Sequence, residues 1–524
     1  MNLSPTYLSL VLAALMAAPA AHAARLELPP LDLAKLAAED LALAGKPGVP
    51  LRYGRVHDFA AKGQSAALPA LDSAGRWSTS KTGEGLWQLE IEGGQARNLS
   101  LHFGDFRLPA GAELAIYAAD DKQPALRYSD AANPVDAGLR TPLIEGSKLR
   151  LVLRVPAGLR EVTRLRLDSV VQGYRDPFSA LAQAKSGSCN IDVACPEGND
   201  WRPQIRSVAH YTFVSGSISY VCTGQLVATG DNAADTTEPR FLTAHHCLSS
   251  QAEVGSMTFY WRYESPSCRA PGSVASGQRL AYSGNTAATQ SGATLLATHE
   301  PTDFTIVRLN APVPVAAQAF YSGWDRSGGA PIGAVGIHHP SGHEKRISID
   351  DDALSVGPSC IIEGATAQTH WYVNNWDAGT TERGSSGSGL WRRDSGRLIG
   401  VLSGGLASCS APDKFDCYGA LDKGWEGGGV VTSRMRDWMD RTGSNPQRMD
   451  GYQSCSAPSV SLDSAAFASA PGAGTDVSFT ASASGGSGAG YRYEWDLDGD
   501  GSFERSTGST AAVSVRYPRR LSTQ

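Results

Sequence analysis

Apolar and polar residues alternate in short runs along most of this chain. In "GLWQLEIEG", residues 85–93, the apolar positions are every second one, and "KLRLVLRV", residues 148–155, follows nearly the same rule. A period of two predicts strands with one buried face. Further along, "SYVCTGQLVA", "EVGSMTFYWRY", "FTIVRL" and "GRLIGVLSGG" are short apolar segments separated by clusters of Gly, Pro, Ser and Asn. Helical periodicity is scarce until "VTSRMRDWMDRT", residues 431–442. The pattern predicts an antiparallel all-β protein built as barrels or sandwiches.

The amino terminus reads differently. An apolar run from Leu8 to Ala18 leads to Ala21-His22-Ala23, the small-residue pattern of an export-signal cleavage site, so residues 1–23 are expected to be removed after Ala23. The run falls short of the ~20 residues a membrane span needs. No later stretch is apolar enough to span, so the expected product is soluble, secreted and extracellular, where disulfides persist.

With 524 residues the chain exceeds what one core can organise, and more than one domain is expected. The cysteines mark the divisions. Residues 24–185 hold none, although their Ala/Leu-rich start and alternating segments predict a folded, β-rich region. Eight of the nine cysteines fall between Cys189 and Cys417, and Cys455 closes the set, which outlines a disulfide-stapled domain over 186–455. Beyond it, residues 456–524 turn to Ser, Ala and Gly around the aromatic and acidic island "GYRYEWDLDGDGSFE". A net charge of −6 gives no electrostatic reason to expect nucleic acid or an anionic membrane as partner.

Three segments carry candidate chemistry, in the order "FLTAHHC", "TDFTIVRL" and "GSSGSGLW". They supply a histidine beside a cysteine, an aspartate leading a buried strand, and a serine among glycines. A serine hydroxyl is a weak nucleophile that needs a base, and the base needs a carboxylate to hold its tautomer. Glycines let backbone N–H groups turn toward a developing oxyanion. The order His, Asp, Ser excludes an α/β-hydrolase, whose order is Ser, Asp, His and whose G-x-S-x-G elbow does not fit around Ser386, because Ser388 takes the place of the final glycine.

On these segments, together with "GSCNIDVACPEG", "SCRAP", "GWDR", "IHHP", "EKRIS" and "SCSAP", residues 186 to about 450 resemble chymotrypsin-fold serine proteases, and more narrowly the bacterial lysyl endopeptidases. The resemblance implies two antiparallel β-barrels and a secreted serine endopeptidase that cuts after lysine through an acyl-enzyme. It makes His246 the general base, with His245 its neighbour, Asp303 the residue orienting it, and Ser386 the nucleophile; Ser385 and Ser388 are the local alternatives. The N–H groups of Gly384 and Ser386 form the implied oxyanion hole. The implied disulfides are Cys189 with Cys409, Cys195 with Cys268, and Cys222 with Cys247, while Cys360, Cys417 and Cys455 lack counterparts and Cys360–Cys417 is the preferred further pair.

Specificity follows from the same resemblance. The position six residues before Ser386, where trypsin-like enzymes keep their pocket charge, is Thr380, and Asp416 in "KFDCYG" stands where lysyl endopeptidases place theirs. Ser403, Gly404 and Gly405 are expected to pair with substrate as an added strand. The best-known members carry a histidine at the place of Ser403, and Trp376 is the candidate indole partner; the departure leaves an arginine-preferring or broad trypsin-like protease as the alternative. Lys185 is expected to be the processing site that releases Ser186 from a pro-segment, 24–185. The place where trypsin-type zymogens keep the aspartate that pairs with the new terminus is Ser385 here, so the new terminus is not expected to switch the pocket through such an ion pair, and the pro-segment is expected to assist folding and block the cleft. Expected partners are protein and peptide substrates and the chain's own pro-segment, with a monomer as the working unit. No cofactor and no metal are expected.

Two motifs stand apart. "GIHHPSGHEKR" places His339 and His343 four apart, a zinc-like spacing, but the matches around it favour a structural role. "DLDGDGSFE" lacks the glutamate of an EF-hand, since Thr507 stands there, and "YEWDLDGDG" resembles the core of PKD modules, implying a truncated β-sandwich at the end. The rival from another class is a catalytically silent secreted binding protein on a protease scaffold.

Overall fold

The computed structural model describes residues 24–43, 46, 48–59, 75–118, 121, 125–134, 138–175, 186–278, 288–357, 360, 362–454, 459–463, 476–484, 491–497 and 502–516. Two compact units divide them: Met1–Leu31, His57–Leu139 and Leu143–Gln172 form one, and Asp32–Val56, Arg140–Pro142 and Gly173–Gln524 the other.

In the first unit the strict alternation is realised as strands. Gly85–Glu92 buries Trp87, Leu89 and Ile91, and pairs in antiparallel register with Lys148–Val155, which buries Leu149, Leu151 and Leu153. Leu99, Leu101 and Phe103 of Asn98–Arg107 and Leu114 and Ile116 of Glu113–Ala118 complete that core. Each fully buried large apolar side chain stabilises by roughly 1.5–3 kcal/mol, so this unit is held by packing with no disulfide.

The second unit holds the cysteine-rich domain. Its first sheet places Thr258–Tyr260, Val208–Ser215 and Ile218–Val227 side by side, then turns through Arg240–Thr243 and Phe304–Leu309 to Ala293–His299, a near-barrel. Its interior is aromatic: Tyr211, Phe241, Phe259 and Trp261 pack within 5.0–6.1 Å between ring centres. The second sheet runs Ile191–Asp192, Arg346–Ala353, Ile332–His338, Gly389–Arg392, Leu398–Gly405, Asp416–Ala420, His370–Val373 and Ser355–Val356, with a bridge between Ile349 and Ala378 curling it toward closure. The chain is therefore all-β with two antiparallel barrel-like sheets in this domain.

Four disulfides staple it: Cys189–Cys409, Cys195–Cys268, Cys222–Cys247 and Cys360–Cys417. The segment 431–442 yields only one helical turn, Arg436–Met439. Asp440 ends it, because its carboxylate accepts from Ser444 N at 3.2 Å and Asn445 N at 2.7 Å and so draws the chain into a turn.

Part of the cysteine-free region belongs to this second unit. The helix Leu33–Leu43 is followed by residues Leu51 to Arg55, which pair antiparallel with Ile218–Val221. The helix is pinned by Asp40, a buried carboxylate that meets Arg52 at 3.3 Å, Arg175 at 2.9 Å and the Tyr174 hydroxyl at 3.0 Å. A buried charge needs such partners, since stranding it is costly.

At the end of the chain, Asp476–Ser484 lies between Ser459–Asp463 and Ala512–Arg516, and Tyr493–Trp495 pairs with Arg505–Gly508. Ala481, Trp495 and Val513 form a small core between them, a partial β-sandwich. Among the described residues no helix is long and apolar enough to cross a membrane.

Candidate active site

The turn after the Arg240–Thr243 strand presents His245 and His246. Cys247 ties that turn to Cys222 in the middle of Ile218–Val227, so its position is set by the sheet behind it. His246 Nδ1 lies 2.8 Å from Asp303 Oδ2, and the His246 backbone N–H donates to Asp303 Oδ1 at 2.9 Å. One carboxylate thereby fixes both the ring and its main chain, and keeps the proton of a neutral ring on Nδ1. His245 instead hydrogen-bonds Thr298 Oγ1 at 2.8 Å.

Asp303 is 1% exposed and left-handed, φ 48° and ψ 49°, where it caps the turn Glu300–Thr302 and starts the Phe304–Leu309 strand. Such a backbone costs a non-glycine residue roughly 1–2 kcal/mol and persists where surrounding contacts impose it. Here the bonds to His246 are those contacts.

The serine segment is a tight turn. Thr223 N donates to Ser386 O at 2.9 Å and Thr223 Oγ1 to Gly384 O at 3.0 Å, so the strand that carries Cys222 also carries the nucleophile candidate. Ser385 is buried and its Oγ bonds His338 Nδ1 at 2.8 Å, and Ser388 is fully buried. Ser386 is the half-buried serine of the three, and its Oγ makes no hydrogen bond among the described residues. His246 Nε2 has Cys247 Sγ at 3.9 Å, and no hydrogen bond joins it to Ser386 among the described residues. Gly384 has φ 95°, and a Cβ there would stand 2.9 Å from Gly342 N and 3.1 Å from His339 O, which leaves room for glycine alone. Neither the Gly384 nor the Ser386 amide donates to another group among the described residues.

Asp416 opens the Asp416–Ala420 strand with its side chain buried. Its Oδ2 accepts from Trp376 Nε1 at 2.6 Å and from Thr381 Oγ1 at 2.7 Å, and burial pushes its carboxyl up to about 7 against those two bonds. No ion pair reaches it among the described residues. Gly404 and Gly405 face Cys417 and Asp416 across the Leu398–Gly405 strand. Ser403 is buried, its Oγ 3.0 Å from His370 Nε2. Burial lowers His370 to about 4, with the Asp303 charge acting in the opposite direction.

The sequence reading overlooked three participants: Thr381 on Asp416, His370 on Ser403, and Glu382, whose carboxylate accepts from Gly187 N. Thr381 follows Thr380 directly and was the accessible hint; His370 and Glu382 are brought in by partners 33 and 195 positions away. His338 and His339 serve the turn, His338 through Ser385 and Ser348, and His339 by donating Nδ1–H to His343 O at 2.8 Å. Ala23, Lys185 and Cys455 lie outside the described residues.

Comparison with known proteins places relatives beside this geometry. Residues 183–419 match the family described as lysyl endopeptidase, C-terminal domain. A lysyl endopeptidase of Pseudomonas aeruginosa is 30% identical over 415 residues, spanning 72% of this chain and 80% of that protein. Among solved structures, a thermostable serine protease, AL20, from an extremophilic microorganism aligns over 42% of this chain and 92% of its own at 13% identity and a TM-score of 0.29. The protease Anisep from Arthrobacter nicotinovorans aligns over 41% and 90% at 16% identity and a TM-score of 0.28.

Proposed function

The chain belongs to the lysyl endopeptidase family and is a serine endopeptidase, and from that premise we propose that it is secreted and hydrolyses peptide bonds on the carboxyl side of lysine through an acyl-enzyme. The observation that carries the lysine reading is Asp416, a buried carboxylate met by an indole and a hydroxyl but, among the described residues, by no cation. A substrate ammonium entering that pocket supplies the missing counter-charge, and a charge-assisted bond in a dry site is the strong kind.

In this mechanism a substrate strand pairs with Ser403, Gly404 and Gly405 and delivers its lysine toward Asp416, with Trp376 and Thr381 holding the carboxylate in place. Ser386 Oγ attacks the scissile carbonyl while His246 Nε2 takes its proton, and Asp303 stabilises the imidazolium. The Ser386–His246 hydrogen bond is formed as substrate fills the cleft, since such bonds tighten on binding. The oxyanion faces the amides of Gly384 and Ser386, a contribution on the order of 10²–10³ in turnover per donor. His246 then gives that proton to the leaving amine as the scissile C–N bond breaks, which leaves the acyl group on Ser386 Oγ. Water attacks this ester while His246 takes its proton, and His246 returns the proton to Ser386 Oγ as the acid departs.

Cleavage after Lys185 separates the pro-segment, 24–185, from a mature enzyme that begins at Ser186. The stretch Leu51 to Arg55, added to the Ile218–Val221 edge, supports a pro-segment that templates the first sheet. Peptide mapping of a denatured protein digested by this enzyme, beside the Ser386→Ala variant, tests the specificity. Cuts at Lys-X bonds alone, absent in the variant, are expected; cuts after arginine as well withdraw the narrow specificity. Sequencing the secreted amino terminus tests the processing site.

A further inference from the structure

Ser386 follows a turn whose first residue, Glu382, does more than close it. Glu382 N–H donates to Ser385 Oγ at 3.3 Å and Ser385 N–H donates to Glu382 O at 3.0 Å, so this residue ties the turn from both ends. Its carboxylate points the other way, to the start of the cysteine-rich domain. Gly187 N–H donates to both of its oxygens, at 2.9 and 3.1 Å, and Ser341 Oγ donates at 3.2 Å. Burial raises its pKa, and no ion pair neutralises it among the described residues. Arg346, whose field reaches it, is held by Asp192 at 2.9 Å.

Ser186 is fully buried beside that carboxylate's partner residue. Its backbone N lies 3.4 Å and its Oγ 3.0 Å from His343 Nδ1. The loop that carries His343 is itself packed on the serine turn, through Ser341 N–H donating to Arg383 O at 2.6 Å and through the close approach of Gly342 to Gly384. The Cys189–Cys409 disulfide fastens the same segment a few residues later.

We propose that Glu382 is a positioning residue that receives the α-ammonium set free at Ser186, so that processing locks the turn from Glu382 to Ser386 from beneath. This rests on the reading of Lys185–Ser186 as the processing bond. Hydrolysis breaks the amide C–N bond; water gives its hydroxyl to the Lys185 carbonyl and a proton to the Ser186 nitrogen, which takes a second proton from solvent. A neutral amide thereby becomes a cation in a buried site, one residue ahead of the Gly187 amide that already donates to the Glu382 carboxylate. The device differs from the trypsin-type pair, which uses the residue just before the nucleophile; Ser385 occupies that place and is committed to His338.

A four-sample cycle on the full-length Ser386→Ala chain tests this independently of self-processing. Residues 180–185 are replaced by the recognition sequence of an exogenous protease that cuts directly ahead of Ser186, and melting is compared before and after the cut in the Glu382 and Glu382→Gln backgrounds. The cut is expected to raise the melting temperature of the Glu382 chain relative to the Gln chain by about 2–4 °C. Equal shifts in the two backgrounds overturn the proposal. Glu382→Asp, which keeps the charge, retains part of the difference and covers the case in which the Gln chain folds poorly. A recognition site that leaves one extra glycine ahead of Ser186 is expected to abolish the difference, which a merely structural glutamate leaves unchanged. Sequencing the natural product is a separate readout: a terminus other than Ser186 removes the processing reading, while the engineered cut still decides the pairing.

Discussion

The indole N–H of Trp376 donates to the carboxylate of Asp416 at 2.6 Å, with both side chains 1% exposed. An acid in so dry a setting has little reason to ionise on its own, and burial holds it up to about 7. The bond to Trp376 and the one from Thr381 are what keep it from rising further.

The Asp416 carboxyl is therefore neutral below pH about 7 and charged above it. An alkylammonium ion binding to the inactive Ser386→Ala variant is expected to tighten between pH 5 and 7, by about tenfold per pH unit, and to level off above. Calorimetric titration across that range checks it, and a pH-independent affinity removes Asp416 from the pocket.

Stability runs the other way. The folded Asp416 carboxyl titrates near 7, whereas the unfolded one titrates near its ordinary value of 3.8. Between those values the folded chain holds a proton that the unfolded chain has lost, so rising pH erodes stability, in total by roughly 4 kcal/mol. Asp416→Asn abolishes this erosion. The same variant is expected to lose about 10²- to 10³-fold in kcat/KM on lysyl substrates, the effect of removing one partner of a buried charge pair. Denaturant melts at pH 5 and 8, with steady-state kinetics, read both effects.

Ser386→Ala and His246→Ala are each expected to lower turnover by roughly 10⁴–10⁶, and Asp303→Asn by roughly 10⁴ with the fold intact. Combining two of them adds little to either alone. An ester substrate that reports the acyl-enzyme burst distinguishes lost chemistry from lost binding.

Gly384→Ala forces a side chain into the 2.9 Å gap before Gly342 N at a φ of 95°. Turnover is expected to fall by about 10²–10³, as for loss of one oxyanion donor. KM should move far less than kcat.

Removing residues 24–185 is expected to slow refolding of the remaining chain, because the cysteine-rich domain is built from non-local strand pairs. Leu51 to Arg55 pairs with one edge of it. Adding residues 24–185 in trans restores the rate; rapid unaided recovery of activity counts against a folding role.

Much of this was legible because strands announce themselves by alternation: Trp87, Leu89 and Ile91 all face the core the period assigns them. His246, Asp303 and Ser386 could be singled out because each stands in a short local motif. Ser403 and Glu382 could not be understood in that way. Their partners, His370 and Gly187, are 33 and 195 positions away and meet them only in the folded chain. The helical stretch after Val431 misled because side-chain turns by Asp440 compete with helix propagation over so short a run.

The Cys189–Cys409 bond closes a covalent ring of 220 positions around nearly the whole cysteine-rich domain. An endopeptidase at high concentration is exposed to its own kind, and surface loops within the ring are where it is nicked first. A single nick there opens the ring without dividing it, so both new ends stay on one molecule. After one such cut, it takes a reductant to turn the nicked chain into two.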